Sequence, residues 1–206
     1  GTQYPVVMTQ YSGPGSQEVL NEWRIGWEQS LASEGYVVVC VDGRGTGCRG
    51  RDFKKCTYQH LGKYESDDQI AVAKYLATLP FVDKSRIGIW GWSFGGFNTL
   101  MSMSEGRNVF CCGVAIAPPT DWRFYDAPYT ERFMRQPKEN PEGYASASAI
   151  ERIDNLHGKL LIVQGLDDDN VFFSNSTAYM RQYNDYPCVS KKSLGRYMAL
   201  TAKPCR

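Results

Sequence analysis

Five short apolar runs, separated by longer segments with helical periodicity, most restrict the fold of this chain. Two of them read Val37-Val38-Val39-Cys40-Val41 and Leu160-Leu161-Ile162-Val163. Strands that are apolar nearly throughout are typical of a mostly parallel sheet covered by helices on both faces. The sequence therefore predicts an α/β fold. The predicted strands are Pro5 to Tyr11, Tyr36 to Asp42, Arg86 to Gly91, Cys112 to Ala117 and Lys159 to Gly165.

The composition indicates one soluble domain of ordinary charge. A chain of 206 residues suits a single hydrophobic core, and its 23 basic side chains nearly cancel its 22 acidic ones. We therefore expect no electrostatic preference for nucleic acid or a membrane surface, and no apolar run reaches membrane-spanning length. The seven cysteines lack the paired spacing of a zinc site, and His60 and His157 have no second ligand at helical or hairpin spacing. We expect neither a metal nor a cofactor.

A crossover helix is predicted between the second and third strands. Its start is marked by a capping box of Ser66 and Gln69, and Pro80 ends it. Beyond Arg181 the chain becomes polar and basic, with no strand-like run. We therefore expect residues 1–183 to form an incomplete domain and residues 184–206 to form a divergent tail that supplies neither the final strand nor the closing helix.

The motif Gly91-Trp92-Ser93-Phe94-Gly95, followed by Gly96, is the strongest chemical signal in the sequence. It lies between the third predicted strand and a helical run from about Phe97 to Ser104. A sharp turn from strand to helix holds a serine above the edge of the sheet, where backbone N–H groups at the helix start stabilise an oxyanion. The motif predicts that Ser93 is a nucleophile in a hydrolase.

Three adjacent carboxylates follow the last predicted strand, in Asp167-Asp168-Asp169-Asn170. In this type of hydrolase the serine is followed along the chain by an acid and then by a histidine. The carboxyl ends of parallel strands share one edge of the sheet, where the sites of such proteins form. We expect the catalytic acid among these three residues, with at least one of the others in a turn or capping role.

Several stretches, taken together, resemble the catalytic domain of the prolyl oligopeptidase family, in its dipeptidyl peptidase IV branch. The resemblance covers most of the chain and implies an α/β-hydrolase fold. The matching stretches, in chain order, are Tyr11-Ser12-Gly13-Pro14, Asp42-Gly43-Arg44-Gly45-Thr46-Gly47, Gly91-Trp92-Ser93-Phe94-Gly95-Gly96, Asp121-Trp122-Arg123-Phe124-Tyr125-Asp126, Tyr129-Thr130-Glu131-Arg132 and Asp168-Asp169-Asn170-Val171.

The resemblance implies a role for each matching position. Ser93 would attack the scissile carbonyl, and Asp168 would orient a histidine. The Tyr11 hydroxyl and the Phe94 amide would form the oxyanion hole, each donor being worth about 3 kcal/mol. The Asn170 side chain would hold a substrate carbonyl. A small apolar pocket for proline or alanine would be lined by Trp122, Tyr125, Tyr129 and Val171.

The resemblance also implies a peptide substrate and surroundings for the whole protein. Members of the family carry a β-propeller domain before the hydrolase domain, and its acidic residues hold the free amino terminus of the substrate. Family members suggest a homodimer and a secreted, periplasmic or cell-surface location. The implied reaction is the release of N-terminal Xaa-Pro or Xaa-Ala dipeptides through an acyl-enzyme.

The chain departs from the family pattern most seriously in lacking the catalytic base. The family places its histidine roughly thirty residues after the acid, yet no histidine follows His157. His157 precedes the strand that leads to Asp168, about 20 Å from that edge of the sheet, and His60 is expected at the surface. We expect a truncated or frame-shifted end and a nearly inert isolated chain, since loss of the histidine costs about a millionfold in turnover.

Smaller departures surround the acid and the nucleophile. Gln164-Gly165-Leu166-Asp167 stands where His-Gly-Thr-Ala is more usual, and Phe172 replaces a frequent histidine. Phe94 stands where tyrosine is common, but the backbone amide is the group needed there.

Three alternative functions stay open from the sequence. Gly45-Thr46-Gly47-Cys48-Arg49-Gly50 formally fits a dinucleotide-binding fingerprint, although residues 51–56 have no sustained apolar face for the helix that should open there. A carboxylesterase-type hydrolase would use the same nucleophile. A non-catalytic binding relative would keep the fold and dispense with the histidine.

Overall fold

The computed structural model describes residues 1–105, 107–184, 189–194 and 197–202. Its strands form one seven-stranded sheet in the order β2-β1-β3-β4-β5-β7-β6, and the five strands from β2 to β5 in this order pair in parallel. The parallel core predicted from the apolar runs is confirmed. The strands are β1 Tyr4–Thr9, β2 Val37–Cys40, β3 Val82–Trp92, β4 Cys112–Ile116, β5 Lys159–Gly165, β6 Val189–Leu194 and β7 Tyr197–Ala202.

Helices cover both faces of the sheet, as predicted. On one face the core joins Ile70 and Leu76 of α3 to Ile89 of β3, and Leu100 of α4 to Ala115 of β4. On the other face Trp27 of α1 packs edge-on against Trp90, with ring centroids 5.1 Å apart. The α-helices are α1 Trp27–Ser33, α2 Arg51–Lys55, α3 Lys63–Leu76, α4 Phe94–Met103, α5 Ala127–Met134, α6 Pro141–Ser146 and α7 Ser174–Asn184.

Two short 3₁₀ helices complete the described elements, at Trp122–Phe124 and Ile150–Asn155. No helix among the described residues combines the length and apolar character needed to cross a membrane.

The crossover helix α3 begins one turn earlier than the sequence predicted. The Glu65 carboxyl group, rather than Gln69, reaches back to accept a hydrogen bond from the N–H of Gly62 at 3.0 Å. The Ser66 hydroxyl instead donates to the carbonyl oxygen of Lys63 at 3.1 Å. The predicted capping box of Ser66 and Gln69 is therefore wrong. Glu65, three residues after Gly62, takes the capping role that was assigned to Gln69. It is better placed because it is fully buried at the start of the helix.

The expectation that no strand follows Arg181 is also wrong. Strands β6 and β7 form an antiparallel pair, and β7 pairs antiparallel with β5 from Leu160↔Ala202 to Gly165↔Tyr197. Without β7 the outer edge of β5 would expose unpaired N–H and C=O groups, so a weak strand-former can be recruited there. These two strands add no further parallel strand to the sheet. Residues 185–188, 195–196 and 203–206 of the predicted tail lie outside the described residues.

Candidate active site

Ser93 lies on the sharp turn that joins β3 to α4. Its backbone angles are φ 56° and ψ −116°, in a region that residues other than glycine rarely adopt. The turn is fixed by a hydrogen bond of 2.8 Å from the Ser93 N–H to the carbonyl oxygen of Ile116 in β4. Ser93 is partly exposed while the helix after it is buried throughout. The turn therefore presents one hydroxyl at the carboxyl edge of the parallel strands.

The glycines that flank Ser93 are required by close contacts. A Cβ at Gly91 would lie 2.5 Å from the carbonyl group of Gly95, and a Cβ at Gly95 would lie 2.5 Å from the carbonyl oxygen of Gln10. Real Cβ atoms do not approach other atoms so closely. The spacing of glycines around the serine thus reflects how tightly β3, α4 and the segment after β1 are packed.

The start of α4 provides hydrogen-bond donors beside Ser93. Phe94 is the first residue of the helix, and the first N–H groups of a helix have no partner within it. The positive end of the helix dipole adds to their attraction for an anion. The ring of Tyr11 lies near the ring of Phe94, with centroids 6.3 Å apart. The two residues expected to bind the oxyanion are thus brought together next to Ser93.

A buried polar network, which the sequence analysis missed, holds the Tyr11 segment against α4. Gln10 Nε2 donates to the carbonyl oxygen of Gly95 at 2.8 Å, and Gln10 Oε1 accepts from Ser12 Oγ at 2.9 Å. Asn98 Nδ2 donates to Gln10 Oε1 at 3.2 Å and to Ser12 Oγ at 3.1 Å. Both neighbours of Tyr11 are therefore fixed to the helix that follows Ser93. The sequence gives no local signal for this network, because Gln10 and Asn98 are 88 positions apart.

Asp168 is held firmly at the carboxyl end of β5. Its Oδ1 accepts hydrogen bonds from the backbone N–H groups of Asn170 at 3.1 Å and Val171 at 3.0 Å. Its Oδ2 accepts from Gln164 Nε2 at 3.1 Å. Asp167 and Asp169 are exposed, whereas Asp168 is half-buried. Of the three adjacent carboxylates, the one carried over from the family resemblance is the one with a fixed orientation.

Gln164 is a further functional candidate that sequence reasoning noted without giving it a role. Its amide nitrogen bonds Asp168 and also the carbonyl oxygen of Val171 at 2.9 Å. Its Oε1 accepts from Ser176 Oγ at 3.1 Å. Gln164, which stands where the family usually has histidine, thus uses both atoms of its amide to hold the loop that carries Asp168.

Asp168 and the nucleophile turn face one cavity of about 550 Å³. Trp92, the residue before Ser93, lines one side and is 61% exposed. Ala117, which follows β4, lines it together with the ends of β4 and β5. The segment after β5 contributes Leu166, Asp167 and Asp168. The cavity therefore lies between the nucleophile turn, at Trp92, and the Asp168 carboxylate.

The aromatic residues expected to bind the substrate form one cluster. Trp122 stacks on Tyr129 with ring centroids 6.0 Å apart, and its edge contacts Tyr125 at 5.8 Å. Tyr125 and Tyr129 are half-exposed, whereas Trp122 is 1% exposed and Val171 is 2% exposed. The two tyrosines form the open wall of the cluster. Trp122 and Val171 lie behind it and support it.

The tyrosines of the cluster remain neutral hydrogen-bond donors. Burial raises the pKa of Tyr129 well above its ordinary value. Burial also raises the pKa of Tyr125, and the nearby Asp126, Tyr11 and Asp168 raise it further. The Tyr125 hydroxyl donates to Asn170 Oδ1 at 2.8 Å, which leaves the Asn170 amide nitrogen available to a ligand. These interactions place Tyr11, Tyr125 and the acid loop around one site.

The two histidines lie away from this site. His60 is exposed in the segment before α3, as expected. His157 precedes β5 at the amino edge of the sheet, and its backbone N–H donates to Met103. A seven-residue strand separates it from Asp168, which is about 20 Å at the usual rise per residue. Burial lowers the pKa of His157.

The glycine-rich segment after β2 is not built for a dinucleotide. The backbone N–H groups of Gly45 and Gly47, which a phosphate would need, donate to Phe53 at 2.9 Å and Ser16 at 2.7 Å. A helix does open at Arg51, contrary to expectation, but α2 has five residues and is not the crossover helix. Strand β2 also lies at the edge of the sheet rather than at a point where the strand order reverses.

The chain is similar to known proteins in both sequence and fold. The family model described as "Prolyl oligopeptidase family" matches residues 23–193. A protein of Colletotrichum graminicola named "Probable dipeptidyl-aminopeptidase B" is 49% identical over 179 residues, which cover 84% of this chain and 19% of that protein. Its counterpart of the same name in Podospora anserina is 47% identical over 186 residues, covering 88% of this chain and 20% of that protein.

Among solved structures, dipeptidyl peptidase 4 of Porphyromonas gingivalis superposes with a TM-score of 0.87 at 56% sequence identity. The match covers 89% of this chain and 26% of that one. The chain thus spans about a fifth of the length of the curated relatives it matches.

Proposed function

The chain belongs to the prolyl oligopeptidase family, and we propose that it is the nucleophile-bearing part of the catalytic domain of a serine dipeptidyl peptidase. One observation carries the proposal: Ser93 is held at a positive φ between β3 and α4, beside the helix start and the aromatic cluster. The names of the relatives support the same reaction class.

In the proposed reaction Ser93 Oγ bonds to the carbonyl carbon of the second residue of a peptide. The carbonyl oxygen takes up the negative charge and accepts hydrogen bonds from the Phe94 N–H and the Tyr11 hydroxyl. The C–N bond then breaks, and the leaving amine receives the proton that a base removed from Ser93. Water hydrolyses the resulting acyl-enzyme and releases a dipeptide.

The aromatic cluster favours proline or alanine at the residue that is cleaved. A pyrrolidine ring is flat and apolar and offers no N–H, so aromatic walls with few polar groups suit it. The half-exposed rings of Tyr125 and Tyr129 meet edge to face, with centroids 5.3 Å apart, and form such a wall. The free amide nitrogen of Asn170 would bind the carbonyl oxygen of the first substrate residue.

The base that this reaction needs is proposed to come from outside these 206 residues. Asp168 has a fixed orientation and faces an open cavity, as an acid that orients a histidine should, but the sequence supplies no histidine there. The small share of each relative that the chain spans agrees with this. The remainder of the protein is proposed to include a β-propeller domain that binds the substrate amino terminus. Residues 1–183 are proposed to form part of the catalytic domain, and the assembly is proposed to be a homodimer.

A dipeptide boronic acid, alanyl-boroproline, tests the proposal on the chain itself. Its boron replaces the scissile carbonyl and forms a tetrahedral adduct with a serine oxygen, so it resembles the intermediate. We expect it to bind, and Ser93→Ala to weaken binding by about a hundredfold without changing the circular dichroism spectrum. Equal binding by Ser93→Ala would rule out the nucleophile. Preference for an acyl boronic acid without the prolyl ring would favour the carboxylesterase-type alternative.

Turnover separates the proposed enzyme from a non-catalytic relative. The chain alone is expected to hydrolyse Ala-Pro p-nitroanilide at close to the background rate, because the base is missing. A rate near that of a complete peptidase would contradict the assigned role of the missing histidine. Tight boronate binding with Ser93 dependence would still distinguish a latent catalytic site from a binding protein.

A further inference from the structure

A basic groove lies next to the aromatic cluster and takes no part in the chemistry described above. It is a cavity of about 360 Å³ between the segment after β1, the end of α2 and helix α5. Pro14, Tyr58 and Phe133 form its apolar walls. Its charged lining consists of Lys54, Lys55 and Arg132. Among the residues that the structure describes, no acidic side chain lines this groove.

The three cations of the groove are not neutralised within the part of the chain that the structure describes. Six other arginines form ion pairs there, among them Arg44 with Asp68 and Arg123 with Asp121, but Lys54, Lys55 and Arg132 form none. The guanidinium group of Arg132 instead lies 5.9 Å from the ring centroid of Phe133. The neighbouring acids in sequence, Asp52 on α2 and Glu131 on α5, are exposed and do not line the groove.

The groove adjoins the aromatic cluster through a continuous run of rings. Phe133, in the groove wall, contacts Tyr129 with ring centroids 4.9 Å apart, and Tyr129 stacks on Trp122. Pro14 lies three residues after Tyr11 of the proposed oxyanion hole. The cavity lined by Trp92 and Asp168 is where the proposed function puts the base that protonates the leaving amine. The groove therefore borders the half of the site that holds the acyl part of a substrate.

We propose that this groove binds the acidic side chain of the first residue of the peptide substrate, so that Glu-Pro and Asp-Pro dipeptides are preferred over uncharged ones. This inference rests on the proposed function. Its basis is the juxtaposition of three unpaired cations with the proline-sized cluster. A carboxylate side chain on the residue before the one in the cluster can reach the groove, since adjacent residues of an extended peptide are about 3.5 Å apart.

The surrounding walls suit such a side chain. The methylene groups of glutamate can pack on Tyr58 and Phe133, while its carboxylate meets the ammonium groups and the guanidinium fork of Arg132. Attraction between solvent-exposed charges is modest, so a preference of about fivefold is expected rather than absolute selection. The same cations repel a lysine side chain at this position.

Binding of four dipeptides to the chain tests the proposal, with affinity measured by calorimetry at low salt. Glu-Pro is expected to bind about fivefold more tightly than the isosteric Gln-Pro, and Lys-Pro less tightly than Gln-Pro. The combined substitution Lys54→Gln, Lys55→Gln and Arg132→Gln should bring the Glu-Pro to Gln-Pro ratio close to one. The control Lys74→Gln, which removes one positive charge on the exposed side of α3, should leave the ratio unchanged. The preference should also shrink in 0.5 M salt.

The fourth dipeptide, Ala-Pro, separates the failure of this inference from the failure of the proposed function. Ala-Pro reports on the aromatic cluster alone, and Tyr129→Ala should abolish its binding. If Ala-Pro binds in this way but Glu-Pro and Gln-Pro bind equally, the groove proposal is overturned and the peptidase proposal stands. If Ala-Pro does not bind, both are overturned. A Glu-Pro preference that persists in the triple variant also overturns the groove proposal.

Discussion

The side-chain amide of Gln10 donates a hydrogen bond of 2.8 Å to the carbonyl oxygen of Gly95, which ties the residue before Tyr11 to the first turn of α4. Gln10 comes directly after β1, and Gly95 is two residues after Ser93. This bond is buried. The oxygen of the same amide, Gln10 Oε1, accepts hydrogen bonds from Asn98 and Ser12. The nucleophile turn and the tyrosine of the proposed oxyanion hole therefore form one rigid unit.

Replacing Gln10 by methionine should destabilise the protein by about 2–3 kcal/mol. The apolar side chain has a similar length but removes one buried hydrogen bond each from Gly95, Asn98 and Ser12. Urea unfolding followed by circular dichroism measures the change. The control Gln136→Met, at an exposed position, should alter stability by less than about 0.5 kcal/mol. Equal effects at both positions would show that the network contributes nothing.

Introducing a methyl group at Gly95 should also be costly. A Cβ there would lie 2.5 Å from the carbonyl oxygen of Gln10 and 3.2 Å from the Cα of Tyr11, and backbone atoms cannot move aside as a flexible side chain can. We expect Gly95→Ala to lower the free energy of unfolding by about 1–3 kcal/mol. Gly26→Ala, where the nearest atom is the mobile carboxylate of Glu28, is the matched control. A thermal melt in which the two variants coincide would contradict the tight packing.

The stability of the protein should fall with rising pH because of Glu65. Burial raises the pKa of this carboxyl group to about 8, with Asp68 adding to the effect and Arg44 opposing it. Between its unfolded value near 4.5 and about 8, the folded state binds a proton that the unfolded state does not. The contribution of Glu65 is therefore complete below pH 4.5 and declines by about 1.4 kcal/mol per pH unit as the pH rises towards 8.

The variant Glu65→Gln separates this effect from other titrations. Glutamine keeps an oxygen to accept the Gly62 N–H but carries no charge. Urea unfolding at intervals from pH 5 to pH 8 should show the variant gaining stability relative to the original chain as the pH increases. A difference that is constant over this range would mean that Glu65 is ionised in the folded protein.

Added imidazole should partly restore turnover if the cavity between Trp92 and Asp168 admits a base. A positioned base contributes about 10²–10⁴-fold, and a freely diffusing one is expected to recover on the order of tenfold in Ala-Pro p-nitroanilide hydrolysis. The gain should disappear in Ser93→Ala and shrink in Asp168→Asn, since Asp168 faces the same cavity. Asp169→Asn, at an exposed neighbour, is the control. An equal gain in Ser93→Ala would show that imidazole acts on the substrate directly.

The sequence was sufficient to predict the parallel core and the position of Ser93. Runs such as residues 160–163 are apolar on both faces, and that pattern depends on local residues alone. The glycines around Ser93 likewise indicate a turn from local residues alone. By contrast, Gln10 and Asn98 are 88 positions apart, and nothing in either neighbourhood indicates that they meet.

Competition between similar local signals explains the remaining differences. Glu65 and Gln69 both offer a capping partner to α3, and only the burial of Glu65 decides between them. Strand β7 depends on the open edge of β5 rather than on its own composition. The charged residues of the basic groove come from two segments about 75 residues apart, so they look scattered along the sequence.

Because β1 is inserted between β2 and β3, the first nine residues hold the sheet together from the inside. Val6 pairs with Val37 on one side and with Ile87 on the other. A protease cut or a shortened expression product beginning after Thr9 would leave β2 with no neighbour and expose the flank of β3. Preparations of this protein should therefore be checked for an intact β1 before a loss of ligand binding is attributed to a change at Ser93 or the aromatic cluster.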